Sequence, residues 1–284
     1  MGEGLSYIAD LVRREDRDRF LTALFVPSAL REDVLALYAF NVELARIRQN
    51  VSETLIGQMK LQWWRDVISA IYEGRDAPKG NPVTESLAGC IRRHKLTRVH
   101  FDTILETREQ EMRADDAGFM FTDVTGLEGY ALGTSSTLIQ LVLGILGADS
   151  PLTQGAARHV GIAVAFTGIL RAVLIHAYDN RLYLPKAIVT GAGLSGVQDL
   201  QSQQNAKAAA KMIADIASVA MAHLDKARAA KVERAAVPAL LGATIAEQYL
   251  KTLKAAAYDL SHPKPVVMRA SVLRLTWNAW RGKF

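Results

Sequence analysis

Apolar residues recur along this chain at the spacing of a helix face, and the breaks between runs are short. The pattern predicts a first helix from Leu5 to about Arg14. "FVPSALREDVLALYAFNVELARIRQN" opens on Pro27-Ser28, a start signal, and runs to about Asn50. Ser52 stands where it can cap the next helix, from Thr54 to about Tyr72. "EGRDAPKGNPVT" reads as a loop, and helices follow over about Glu85 to Arg93 and Arg98 to Arg113. "LEGYALGTSSTLIQLVLGILG", Leu127 to Gly147, carries small residues at Gly129, Gly133 and Ser136, then turns strongly apolar. Small residues there allow close helix approach or leave room for a ligand. Further helices are predicted over about Thr153 to Ala177, Lys207 to Ala230, Ala235 to Tyr258 and Val266 to Trp280, with "NRLYLPKAIVTGAGLSG" as a loop. Aromatic and β-branched residues do not gather into short alternating runs, so no sheet is predicted. No repeat of constant period and no long linker divides the chain. One all-α domain is the expectation.

Composition narrows the classes. Half of the 284 residues are hydrophobic, enough for a large core. The net charge of +5 suits anionic partners such as diphosphates or acidic lipid headgroups, but no aromatic-basic motif points to nucleic acid. Cys90 is the single cysteine, which excludes an internal disulfide and a CxxC metal site and fits a reducing compartment. The N-terminus lacks the basic start and apolar run of a secretory signal; "MGEGLS" matches the myristoylation pattern only formally. "VGIAVAFTGILRAVLIHA", Val160 to Ala177, approaches the length of a membrane span but contains Arg171 and His176, so a buried core helix is expected.

Three segments together resemble the squalene/phytoene synthase family. They are "RFLTALFVPSALREDVLALYAFNVELARIRQNVSE" with Arg31, Leu37, Tyr38, Ala39 and Phe40; the Tyr130-containing helix ending in Leu-Gly; and "FTGILRAVLIHAYDNRLYLP", Phe166 to Pro185. The resemblance implies an isoprenoid-synthase-type helical domain with a central cavity. It also implies head-to-head joining of two prenyl diphosphates, with Mg²⁺ held by aspartates four apart on two facing helices. This sequence departs from that pattern at the ligands. Ala45 and Arg46 stand where the leading aspartates belong, Gln49 where the later one belongs, and Ala172 and His176 replace the pair of the second motif. Arg171, Tyr183, Leu184 and Pro185 remain. The positions expected to line the cavity are therefore Asn41, Ala45, Arg46, Gln49, Tyr130, Arg171, Ala172 and His176, with no catalytic or metal-binding role carried over.

"FNVELARIRQNVSE", "IGQMKLQWWRDVI", "RHKLT" and "WNAWR" are similar to one branch of the family, the NADH:ubiquinone oxidoreductase (complex I) assembly factor 6 group. That likeness implies a non-catalytic helper in building respiratory complex I. Such a helper would need no cofactor, would sit in the cytoplasm or peripherally at the inner face of the membrane, and would contact a complex I subunit or a prenyl- or lipid-like ligand. The competing expectation is an active, Mg²⁺-dependent prenyltransferase. A membrane-surface or protein-interaction module unrelated to respiration is the third.

Neighbouring residues offer little rescue of the metal site. Glu43 lies about 200° around the helix from Ala45. His176 and Asp179 form an i, i+3 pair that suits one borderline metal ion or a wet helix end. Arg46 and Arg48 add charge that can hold a phosphate but supplies little electrophilic help to ionisation. "LETREQEMRADD" is expected to be a solvated, salt-bridged face through Glu106, Glu109 and Arg113, and His94 and His100 to be surface residues. At least one of Trp63 and Trp64 is expected in the core. "RASVLRLTWNAWRGKF" suits either packing of a last helix or a seat on an acidic membrane.

Overall fold

The computed structural model describes residues 5–51, 53–112, 118–259, 262 and 268–284. The chain begins with α1 (Tyr7–Glu15), capped by the Ser6 hydroxyl, and a short α2 (Arg17–Ala23), capped by Asp16, which the apolar pattern omits. Next come α3 (Ser28–Gln49), α4 (Thr54–Tyr72), α5 (Pro82–His94) and α6 (Arg98–Gln110). Asn81 caps α5, with Pro82 at its first turn, so that helix starts earlier than predicted. Strand β1 (Phe119–Phe121) leads into α7 (Val124–Ala131), a π-helical turn (Leu132–Ser136) and α8 (Thr137–Leu146). The long α9 (Pro151–Tyr178) is followed by β2 (Leu182–Pro185), α10 (Lys186–Gly191), α11 (Val197–Gln201) and α12 (Ala206–Ala229). The predicted helix from Ala235 divides into a 3₁₀ turn (Arg234–Ala236), α13 (Val237–Leu240) and α14 (Gly242–Ala255). Last comes α15 (Val272–Trp280). The cap at Ser52, the helix end at Arg113, the helix start at Val266 and Gly2 lie outside the described residues.

The expectation of no sheet is corrected: β1 and β2 pair in parallel, Phe119 opposite Leu182 and Phe121 opposite Pro185. At three and four residues the strands are too short to show alternation. Gly118, at φ +82, makes their approach possible, since a Cβ there would lie 2.6 Å from the Asn180 carbonyl oxygen. The ladder ties the end of α9 to the segment after α6, and both border the cavity described below.

Helices α3 and α9 are the two central elements. Phe40 of α3 is wholly buried, its ring edge-on to Trp64 at 5.1 Å and to Phe101 at 5.6 Å. Trp64 is thus the core member of the tryptophan pair, and Trp63 is 40 % exposed. Helix α9 packs against α12, α14, α8 and the π turn. Residues Val124–Leu146 and Pro151–Tyr178 are long and apolar enough to cross a membrane, by length and composition only, and more than half of each apolar window is buried within the fold.

The small residues earlier in the π-turn region do the first of the two things expected of them. A Cβ on Gly161 of α9 would fall 2.3 Å from the Ser136 Cα, and one on Gly133 would meet the Thr107 hydroxyl; Gly129 faces open space. Gly161→Ala therefore forces two backbones apart. A loss of about 2–3 kcal/mol in unfolding free energy is expected, read as an earlier midpoint in urea denaturation. Gly129→Ala serves as the neutral control.

Candidate functional site: a central cavity with paired charges

A cavity of about 660 Å³ lies between α3 and α9. All eight positions singled out from the sequence line it: Asn41, Ala45, Arg46 and Gln49 from α3, Tyr130 from α7, and Arg171, Ala172 and His176 from α9. The i, i+4 spacing of Ala45 with Gln49, and of Ala172 with His176, puts each pair on one side of its helix. Glu43 lies instead in a separate groove of about 400 Å³ with Lys60 and Trp63, as its angular position requires. Arg31 lies outside the cavity lining and donates to the Leu24 and Val26 carbonyl oxygens at 3.1 and 3.2 Å.

The charges in the lining are mostly matched within the protein. Arg19 pairs with Asp16, Arg171 with Asp18, and Arg46 approaches Glu15 at 3.7 Å. At the buried end, Arg108 holds Glu111 at 2.6 Å. The same guanidinium donates to the Tyr130 hydroxyl at 3.0 Å and to Asn41 Oδ1 at 3.2 Å, and the Tyr130 hydroxyl donates to Glu111. Burial alone would lower the Arg108 pKa, but the Glu111 carboxylate reverses this and holds it well above its ordinary value. Burial pushes the Tyr130 and Tyr183 phenols up, so both stay neutral hydrogen-bonding groups.

Beside this network the balance changes. Arg48 donates from Nε to the Glu111 backbone carbonyl at 3.1 Å, and its pKa is lowered by burial and then by the nearby Arg181 charge. His176 packs its ring 4.6 Å from that of Tyr183. Burial lowers its pKa, and its Nδ1 has no hydrogen-bond partner among the described residues. Arg108 Nε is likewise buried and unpartnered among them. Within the lining, Arg181, His176 and Arg108 together with apolar wall residues such as Ile139, Val164 and Ile245 suit an amphiphilic ligand with an anionic or hydrogen-bonding head; Arg48 lies outside the lining.

A magnesium cluster does not fit these residues. Mg²⁺ needs several oxygen ligands in octahedral array. The positions that would supply them carry two alanines, an arginine, a glutamine and a histidine. The carboxylates of Glu15, Asp16, Asp18 and Glu111 already face arginines. Asp179 is exposed at the rim near His176, and no group of three or more His, Cys, Asp or Glu converges among the described residues.

Three expectations need correction or extension. Arg108 and Glu111 fall in the run read as a solvated face, yet they are only 9 and 2 % exposed. Their signal was present: Arg108 continues the stripe of Phe101, Ile104 and Leu105, all fully buried. Glu109, by contrast, forms a half-buried pair with Arg65 at 2.6 Å, while Arg113 lies outside the described residues. His94 is no free surface residue, since its Nε2 lies 2.8 Å from Asp33 Oδ2 and Arg93 holds the same carboxylate. Burial would raise that carboxyl; the hydrogen bonds from Arg93 and His94 hold it below its usual range. His100 is half-buried, and burial lowers its pKa.

Two long helices presenting i, i+4 pairs across a cavity are the arrangement that the resemblance to the squalene/phytoene synthase family implies, here without the carboxylates. The family model for squalene/phytoene synthase matches residues 12–281, and the chain belongs to that family. It is 34 % identical over 283 residues to "NADH dehydrogenase (ubiquinone) complex I, assembly factor 6" of Bos taurus, spanning 98 % of this chain and 82 % of that protein. It is 28 % identical to a presqualene diphosphate synthase of Rhodopseudomonas palustris, over 60 % of this chain and 58 % of that enzyme. The fold matches a dehydrosqualene synthase crystallised with a ligand, with a TM-score of 0.79 at 18 % identity over 97 % of this chain and 94 % of that one. The all-α, isoprenoid-synthase-type architecture is thereby shown.

Proposed function

We propose that this protein is a non-catalytic member of the family that assists the assembly of respiratory complex I. It works on the cytoplasmic side, at the inner face of the membrane, and needs no metal or organic cofactor. Its cavity holds a prenyl- or lipid-like ligand or a segment of a complex I subunit. The observation that carries this reading is the absence of a carboxylate at every metal-ligand position in the cavity, within a lining where Glu15, Asp16, Asp18 and Glu111 all face arginines. The resemblance to the bovine assembly factor along nearly the whole chain supports the same reading.

Deleting the gene tests it. Complex I abundance and NADH-linked respiration are expected to fall, with succinate-linked respiration kept, and a plasmid copy is expected to restore both. An unchanged complex overturns the proposal. The purified protein, given farnesyl or geranylgeranyl diphosphate with Mg²⁺, is expected to release no pyrophosphate; robust formation of a coupled C30 or C40 product counts equally against it.

A further inference from the structure

Helix α15 is firmly docked, and its tryptophans do none of the docking. Leu275 is buried in a small cluster with Val237, Leu241 and Ile245. Arg274 reaches Glu247 at 2.5 Å, and Asn278 Nδ2 donates to the Thr244 hydroxyl at 2.8 Å. Beyond the helix, Phe284 is buried, and its carbonyl accepts from Arg228 Nε at 3.0 Å. The opposite side is bare: Leu273, Trp277 and Trp280 are 85, 55 and 68 % exposed. Their i, i+4, i+7 spacing makes one stripe. The two indoles lie 5.4 Å apart, with the Arg281 guanidinium 5.5 Å over the Trp277 ring. Single exposed apolar residues are ordinary, but a stripe of three large ones on an anchored helix is not accounted for by packing.

The C-terminal segment that carries the stripe has charge of one sign, and the half-buried Glu233 beside Arg234 accepts from the Thr153 hydroxyl. From Met268 to Phe284 the chain carries Arg269, Arg274, Arg281 and Lys283 and no Asp or Glu. Arg234, exposed on the preceding turn, donates to the Trp280 carbonyl at 3.1 Å and adds a further cation. Glu247, the carboxylate packed against α15, is buried and enclosed by Arg228, Lys251 and Arg274. Indole rings favour the boundary between headgroup and acyl chain, and basic side chains favour anionic headgroups.

We propose that α15 seats the protein on a bilayer containing anionic phospholipid. Leu273, Trp277 and Trp280 enter the headgroup boundary, while Arg234, Arg281 and Lys283 meet lipid phosphates. This names a surface, not only a location, and it stands on purified protein and lipid alone. Its failure leaves the assembly role untouched, and an intact complex I in the deletion strain leaves the membrane seat untouched.

The test uses the full chain with phosphatidylcholine vesicles, with and without phosphatidylglycerol, some carrying brominated acyl chains. Binding is expected to anionic vesicles, to weaken with salt, and to bring quenching of tryptophan emission by bromine. The double variant W277S/W280S is expected to lower vesicle affinity by at least about tenfold. In R281E/K283E the loss is about fivefold or more for each position. Unchanged thermal unfolding confirms that both variants fold. Absence of binding to anionic vesicles overturns the proposal. So does binding undiminished in W277S/W280S, which would move the contact elsewhere, such as to exposed Leu55, Met59 and Trp63 on α4. A dimer that W277S/W280S dissolves, without vesicle binding, would assign the stripe to a second copy and equally overturn it.

Discussion

Replacing Arg108 by alanine is expected to cost about 3–5 kcal/mol of folding stability, the largest effect anticipated for a single side chain in this cavity. One guanidinium serves Glu111, Tyr130 and Asn41 together at 2.6, 3.0 and 3.2 Å. Without it the Glu111 carboxylate is left in a buried site where, among the described residues, the Tyr130 hydroxyl is its one remaining side-chain donor. An unpaired buried charge keeps its desolvation penalty and loses the attraction that offset it. Thermal unfolding is expected to come earlier by roughly 10 °C. Arg108→Lys recovers only part of this, since an ammonium cannot present the flat fork that reaches three partners. Glu111→Gln is expected to be milder, because an amide still accepts from Arg108 and Tyr130. The decisive measurement is the cycle with Arg108→Met and Glu111→Leu. If the double variant is more stable than the Arg108 single variant, the loss comes from the stranded carboxylate. An Arg108→Ala protein that melts with the wild type would show that water already solvates Glu111.

How far the sequence reveals this site depends on the residue. Ala45, Gln49, Ala172 and His176 were legible because a motif names their positions and helical spacing groups them. All four line the same cavity. The Arg108–Glu111 pair was not, although Arg108 sits on the apolar stripe begun by Phe101. A dense run of charges reads as solvated unless each charge is placed on its own side of the helix, and here the run is split between a buried and an exposed side. The two-stranded sheet was hidden for a different reason. Its strands are too short for a period, and their pairing rests on the φ +82 backbone of Gly118, a tertiary approach that no local pattern encodes. The break within the predicted helix from Ala235 was foreshadowed by Pro238, which fits only the first turn of a helix.

Restoring the family's carboxylates is the second large effect expected. In A45D/Q49D/A172D/H176D, two i, i+4 pairs project into one cavity from α3 and α9. Four added negative charges enter a lining whose carboxylates, Asp179 at the rim apart, already face arginines, so without a divalent ion they repel one another and their protonated forms gain ground. The variant is therefore expected to melt below the wild type in chelator. Mg²⁺ binds the folded state selectively once oxygen ligands are present. At about a hundredfold over its dissociation constant it adds about 2.7 kcal/mol, or roughly 5–10 °C in melting temperature. The wild-type melting temperature is expected to stay put with Mg²⁺, because its four positions offer no carboxylate. Pyrophosphate release from farnesyl diphosphate is expected to stay near background even in the metal-loaded variant. Arg46 still occupies a leading ligand position, and the rigid Arg108–Glu111–Tyr130 network fixes the buried end of the cavity. Failure of Mg²⁺ to raise the melting temperature would mean that α3 and α9 no longer stand at a distance a metal cluster can bridge. Full turnover would mean that ligand loss alone silenced an otherwise intact reaction path, and the cavity would then have to be regarded as a prenyl diphosphate site kept in working shape.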